Sequence, residues 1–188
     1  MIEIVSYKTD WLTEFHEIAS VLRSRLGDLA LRIDHIGSTS VPGLAAKDII
    51  DIQITVKQLD NQIINAMTSL DYIQARVILK DHYPIGFAGS ETKWKKLFFY
   101  SPPNQRRTHT HIRTQGSANQ RYALLFRDYL REKPDTAQTY AELKRRLAQY
   151  IADSDMYPDV KDPAVDLIYF AAEKWAETIH WQPGDSDA

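Results

Sequence analysis

Residues 35–56 read HIGSTSVPGLAAKDIIDIQITV. A glycine, three hydroxyl-bearing residues and a proline come first, and an apolar strand over Ile49–Val56 follows. In that strand Ile50, Ile52, Ile54 and Val56 share one face, while Asp51, Gln53 and Thr55 share the other, because successive strand side chains point to opposite faces. A chain entering Gly37 and Ser38 from a strand brings bare backbone close to a ligand, since glycine has no side chain. The amides that follow, with the hydroxyls of Ser38, Thr39 and Ser40, are donors suited to phosphate oxygens. Asp51 then stands where a divalent cation would bridge it to the same phosphates. The same residues are also open to an architectural reading, with Thr39 and Ser40 capping a turn, Pro42 and Gly43 making a bend, and Asp51 serving as an ion-pair partner.

Outward from this stretch, Trp11, Phe15, Ile18, Leu22 and Leu26 recur at helical spacing behind Asp10 as an N-cap. Arg32–Ile36 reads as the strand that enters the glycine turn. Ile63, Ile64, Met67 and Leu70 mark a crossing helix, and Tyr72–Leu79 a further strand. The segment 81–92 holds Pro84, Gly86 and Gly89 and reads as a long exposed loop, with Tyr83 and Trp94 available to stack on a base. Lys96–Tyr100 and Thr108–Thr114 read as two strands. The last third is helical, with a capping box at Ser117 and Gln120 and a final helix opening at Asp162 and Pro163. The pattern predicts an α+β fold: a mixed sheet of four to five strands flanked by helices, with a C-terminal helical bundle. Residues 1–180 form one domain, with the sheet in 1–116 and the helices in 117–180, and 181–188 are a tail.

The net charge of −2 argues against a general nucleic-acid binder, and the absence of cysteine excludes disulfides, thiol catalysis and cysteine-ligated zinc. No apolar run approaches the roughly 20 residues that span a bilayer, and no secretory pattern opens the chain. The expectation is a cytoplasmic protein with no membrane partner. Between Glu91 and Arg121 there are seven Lys/Arg and one acid. Such a basic centre suits a small anionic ligand, and equally a solvated face.

In that centre, THTHIRT places His109, His111 and Arg113 on one strand face. Two histidines at this spacing can share a metal ion, or one can act as a general base. Arg113 beside them can grip a phosphate with its planar fork. Lys47, after the turn, is a phosphate contact or a surface lysine. His35 orients the turn, Asp34 faces solvent, and Arg127 with Asp128 anchors a helix.

The stretch HIGSTSVPGLAAKDIIDI resembles the hallmark segment of the GrpB family, and FRDYLR, YAELKRRLA and the pair Tyr157 and Lys161 resemble that family's C-terminal helices. The resemblance implies the polymerase-beta-like nucleotidyltransferase fold. There a Gly-Ser turn holds nucleotide phosphates, two carboxylates on the next strand hold magnesium, and a later strand supplies a third. Gly37 and Ser38 match the turn and Asp51 the first carboxylate. Gln53 stands in place of the second, and the later strand offers His109 and His111 instead of the third. The implied activity is transfer of a nucleoside monophosphate to an acceptor of unassigned chemistry. Asp51, Gln53, His109 and His111 would hold the cation, magnesium or manganese, with zinc also compatible. The alternatives are an inactive nucleotide- or small-anion-binding module, which Gln53 favours, and a His/Asp metal-dependent hydrolase. The resemblance extends to chains fused to dephospho-coenzyme A kinase, although this chain carries no phosphate loop of that kind.

Overall fold

The computed structural model describes residues 2–188. Its sheet has five strands: β1 (Arg32–Ile36), β2 (Ile50–Val56), β3 (Ile73–Gln74), β4 (Leu97–Tyr100) and β5 (Thr108–Thr114). They lie in the order β1-β2-β5-β4-β3. β2 and β5 are parallel and the other neighbours antiparallel. The expected strand at Tyr72–Leu79 shrinks to two residues, after which the chain leaves the sheet and touches it again through a bridge between Lys80 and Lys95.

The isoleucine face of β2 is fully buried against α1 (Asp10–Leu26) and α2 (Asn61–Thr68), with Trp11, Phe15, Leu22, Ile63 and Met67 filling the layer. The opposite face carries the polar residues, and it too is covered: Gln53 and Thr55 are inaccessible to solvent. Three C-terminal helices, α3 (Ala118–Glu132), α4 (Pro134–Tyr150) and α5 (Tyr157–Ile179), close on that side and pack on one another.

Several local expectations shift. Asp10 is the first helical residue rather than the cap. Ser117 occupies the N-cap of α3 but makes no capping bond; its Oγ faces the Thr114 carbonyl and Asn119 Oδ1. The last helix opens at Tyr157, with Pro158 in its first turn and Pro163 inside it, so Asp162 does not cap it. That earlier start puts Tyr157 and Lys161 one helical turn apart on one face. Asp34, expected in solvent, is buried and paired with Arg32 at 2.8 Å.

The residues expected to form a tail lie along the outer edge of β1. Ala188 N donates to the Ile33 carbonyl (3.1 Å), Ile33 N to Ser186 Oγ (2.9 Å), and His35 N to Asp187 Oδ2 (2.9 Å). Arg127 links this edge to α3, donating to the His35 carbonyl (3.1 Å) and to Asp187 (2.7 Å), as a helix–sheet anchor should. Edge strands left open invite pairing with other chains. Arg127→Met is expected to cost about 2–3 kcal/mol, because it strands the part-buried Asp187 carboxylate and the His35 carbonyl. Thermal denaturation checks it, and an unchanged Tm would mean that Arg127 does not secure the edge.

Candidate functional site

β1 ends in Gly37, and Ser38–Ser40 form one turn of 3-10 helix. Gly37 has φ +67°, a conformation that side chains disfavour. Its bare face lies on Asp51: an added Cβ would come within 2.9 Å of Asp51 Cβ and Cγ. The glycine therefore makes room for a protein carboxylate, which the sequence reading had assigned to a ligand. Thr39 and Ser40 are buried and build the turn, Thr39 Oγ1 meeting His35 Nε2 at 3.0 Å and Ser40 Oγ donating to the Gly37 carbonyl at 2.6 Å. His35 thus orients the turn, and burial pushes its imidazole down to about 3.

The parallel register sets Asp51 beside His109 and Gln53 beside His111. Asp51 Oδ1 lies 3.4 Å from His109 Nδ1 and 3.9 Å from His111 Nε2, so the three converge. Burial alone would raise Asp51, but the two facing imidazoles outweigh it and hold the carboxyl well below its usual range. Gln53 points into the protein. Its Oε1 accepts from Arg113 Nη1 (2.6 Å) and its Nε2 donates to the Gln120 carbonyl (3.3 Å). Arg113, expected to grip a phosphate, is held by Asp81 through Nε (2.9 Å) and Nη2 (3.0 Å). Asp81 also accepts from Lys96 (2.6 Å) and Asn119 (2.9 Å). The loop after β3 therefore supplies a carboxylate that spacing did not reveal, and two cations already neutralise it.

Two adjoining cavities, about 280 and 440 Å³, share Ser38, Asp51, Asp81, His111, Tyr140 and Lys161 as common lining. Trp94, Tyr122 and Phe126 wall the first; Lys47, His109 and Lys144 line the second. Trp94 is buried, edge-on to Tyr122 at 5.6 Å, while Tyr83 lines neither cavity.

Sequence reasoning left Lys144 and Lys161 out of the site. Lys144, 3% exposed, donates to Ser38 Oγ (2.7 Å) and to the Ala45 carbonyl (2.5 Å). Burial, with Lys161 adding to it, pushes its ammonium down to about 7. Lys161 is held above its usual value, since Tyr140, Asp162 and Asp51 outweigh burial. Lys47 sits over the Tyr157 ring at 4.1 Å, and Lys144 over Tyr140 at 4.7 Å. The signal was a repeated Tyr-x-x-x-Lys, Tyr140–Lys144 and Tyr157–Lys161, which sets a tyrosine and a lysine one turn apart on one face of each helix.

The donor set does not fit a resident divalent cation. Hard cations want several anionic oxygens; of the lining carboxylates Asp51, Asp81 and Asp162, Asp81 is already bonded by Arg113 and Lys96, and Asp162 lies beside Lys161. His111 Nδ1 faces Lys96 Nζ (3.2 Å), Arg113 Nη2 (3.3 Å) and Asp81 Oδ1 (4.0 Å), so cations already crowd the ring that would be a metal ligand. Among the described residues no three His, Asp or Glu side chains are placed to hold a metal. The metal role expected of Asp51, Gln53, His109 and His111 thus finds one carboxylate, an amide already bonded to Arg113 and two imidazoles. Gln53→Glu, which would complete the two-carboxylate pattern, is expected to ion-pair with Arg113 and leave magnesium affinity unchanged. A calorimetric magnesium titration that tightened tenfold would contradict this geometry.

A family model described as "GrpB protein" matches residues 1–170. The chain belongs to the GrpB family. It is 34% identical over 197 residues to a protein named dephospho-CoA kinase from Mycolicibacterium paratuberculosis, covering 97% of this chain and 48% of that one. The chain spans about half the length of the first curated relatives it matches. The solved structure of the conserved protein GrpB from Enterococcus faecalis is 32% identical with a TM-score of 0.71, covering 92% of this chain and 98% of that one. Cid1, solved with its short product ApU, aligns at a TM-score of 0.51 and 13% identity over 77% of this chain and 43% of its own. That likeness concerns the fold, which is nucleotidyltransferase-like. No helix among the described residues is long and apolar enough to cross a membrane.

Proposed function

We propose that the GrpB cleft is a receptor for the phosphate chain of a nucleotide or a related small polyanion. The observation that carries this reading is Lys144, buried with its ammonium on Ser38 Oγ. A lysine is seldom buried without a carboxylate partner; an anion on Ser38 would supply the missing charge. Lys161 and Lys47 converge on the same floor, and the aromatic wall of Trp94, Tyr122 and Phe126 takes an apolar ring such as a base. Of the phosphate contacts expected from sequence, Gly37, Ser38, Lys47 and Arg113 line the cavities, Arg113 already paired with Asp81, while Thr39 and Ser40 are buried in the turn behind them. This reading keeps the nucleotide and drops a resident metal. Nucleotidyl transfer is the second reading, favoured by Asp51 and His109 facing each other across the cavity floor.

Calorimetry with ATP and UTP tests the receptor. Lys161→Met, which removes one charge-assisted contact, is expected to weaken binding about tenfold to a hundredfold, measured below the variant's own Tm. Equal affinity in variant and parent would overturn the assignment.

A further inference from the structure

We infer that the open start of α3 is a ligand site of its own, apart from the cleft, for a small carboxylate with an apolar body. A cavity of about 390 Å³ lies there, walled by Lys93, Ser117, Ala118, Gln120, Trp181 and Pro183. It borders the first turn of a 15-residue helix, whose leading N–H groups can find no acceptor inside the helix. The sequence pattern offers two groups to close that end, the Ser117 hydroxyl and the Gln120 amide, and neither does. Ser117 Oγ is engaged as a donor, towards the Thr114 carbonyl and Asn119 Oδ1 (both 2.6 Å), and makes no capping bond. Ser117 N already donates to the Thr114 carbonyl (3.1 Å), so the Gln120 side chain has no N–H to cap. Among the described residues the N–H groups of Ala118, Asn119 and Gln120 therefore meet no acceptor.

Gln120 is the observation that turns an uncapped helix into a site. Its side chain borders the cavity and is 7% exposed. Its backbone carbonyl accepts from Gln53 (3.3 Å), but its side-chain amide has no hydrogen-bond partner among the described residues. A buried amide without a partner is costly, and a ligand oxygen in the cavity would relieve that cost. The α3 N–H groups and the Gln120 NH2 are donors that match the two oxygens of a carboxylate. Charge favours an anion as well. The first turn of α3 carries no acidic residue, the helix dipole places its positive end there, and exposed Lys93 stands at the rim. Arg121 is held by Glu173 and does not add to that charge; its guanidinium lies over the Trp181 ring at 5.4 Å. Trp181 Nε1 donates to Asp128 Oδ2 (3.2 Å). The indole, so fixed, forms with Pro183 the apolar wall for the body of the ligand. One lysine and one helix end fit a monoanion, whereas Lys47, Lys144 and Lys161 of the cleft fit a polyanion.

Benzoate is the probe, with benzyl alcohol as its uncharged counterpart. In ¹H–¹⁵N spectra of the full chain, benzoate should shift the backbone amides of Ala118, Asn119 and Gln120 and the Gln120 side-chain NH2, saturating in the low millimolar range. Benzyl alcohol should leave them in place. Gln120→Leu, which keeps the size of the side chain and removes its donors, should weaken benzoate about fivefold to tenfold. Ala118→Glu sets a carboxylate of the protein's own in the first turn, where the helix dipole favours it; it should keep or raise Tm and abolish the response. Benzoate shifts confined to Gly37–Ser40, equal shifts with benzyl alcohol, or parent affinity in either variant would each overturn the site.

Discussion

Sulfate binding is expected to weaken about a hundredfold between pH 6 and pH 9. Lys144 is the cause: burial, then Lys161, depresses its pKa to about 7, with Asp51 opposing. Below pH 7 the empty site already carries the ammonium. Above it, binding must first draw a proton onto Lys144, at about tenfold in affinity per pH unit until the pKa of the bound state is reached. Sulfate does not titrate in this range, and His35 and His111, both at about 3, stay neutral throughout. Calorimetry at pH 8 in buffers of different ionisation enthalpy should therefore register proton uptake. Lys144→Arg, charged at every pH tested, should flatten the profile, and Lys144→Met should flatten it at the weak end. A parent whose affinity is level from pH 6 to 9 would remove Lys144 from the anion site.

Gly37→Ala should destabilise the fold by about 3 kcal/mol. Two costs add. A side chain at φ +67° is strained by about 1–2 kcal/mol. The new Cβ also meets Asp51 Cβ and Cγ at 2.9 Å, an overlap that backbone or carboxylate must yield to at about 1–3 kcal/mol. Because the obstacle is Asp51, the second cost is separable. In the background Asp51→Gly, the alanine should retain the strain and lose the clash, giving a coupling of at least about 1 kcal/mol in a double-mutant cycle of denaturant unfolding. Additive effects would mean that the glycine does not serve to seat the carboxylate.

Much of the site was legible because strand periodicity is a local property. Alternation alone set Asp51, Gln53 and Thr55 on one face of β2, and His109, His111 and Arg113 on one face of β5. Once these strands pair in parallel, the two rows must adjoin, and Asp51 stands beside His109. Helical spacing likewise marked the apolar faces of α1 and α3. The errors were also local. Ser117 and Asp162 carry the side chains of caps, but competing partners and an earlier proline at 158 decided the helix starts.

Which groups fill each other's valences was settled elsewhere. Gln53 looked like a vacancy for a second carboxylate; tertiary packing made its amide a fixed partner of Arg113, which Asp81 claims from a loop. Lys144 reaches Ser38 across 106 positions, and Asp187 reaches His35 across 152. No periodicity spans such separations, because it reports only which way a side chain leaves its own backbone. By itself the sequence determined the sheet, its faces and the glycine turn. The tertiary structure alone decided that the polar face would be walled by helices and that its charges would pair internally. Burying an ionised group is tolerable only where a partner is already in place, and that partner is chosen by the packing of the whole chain.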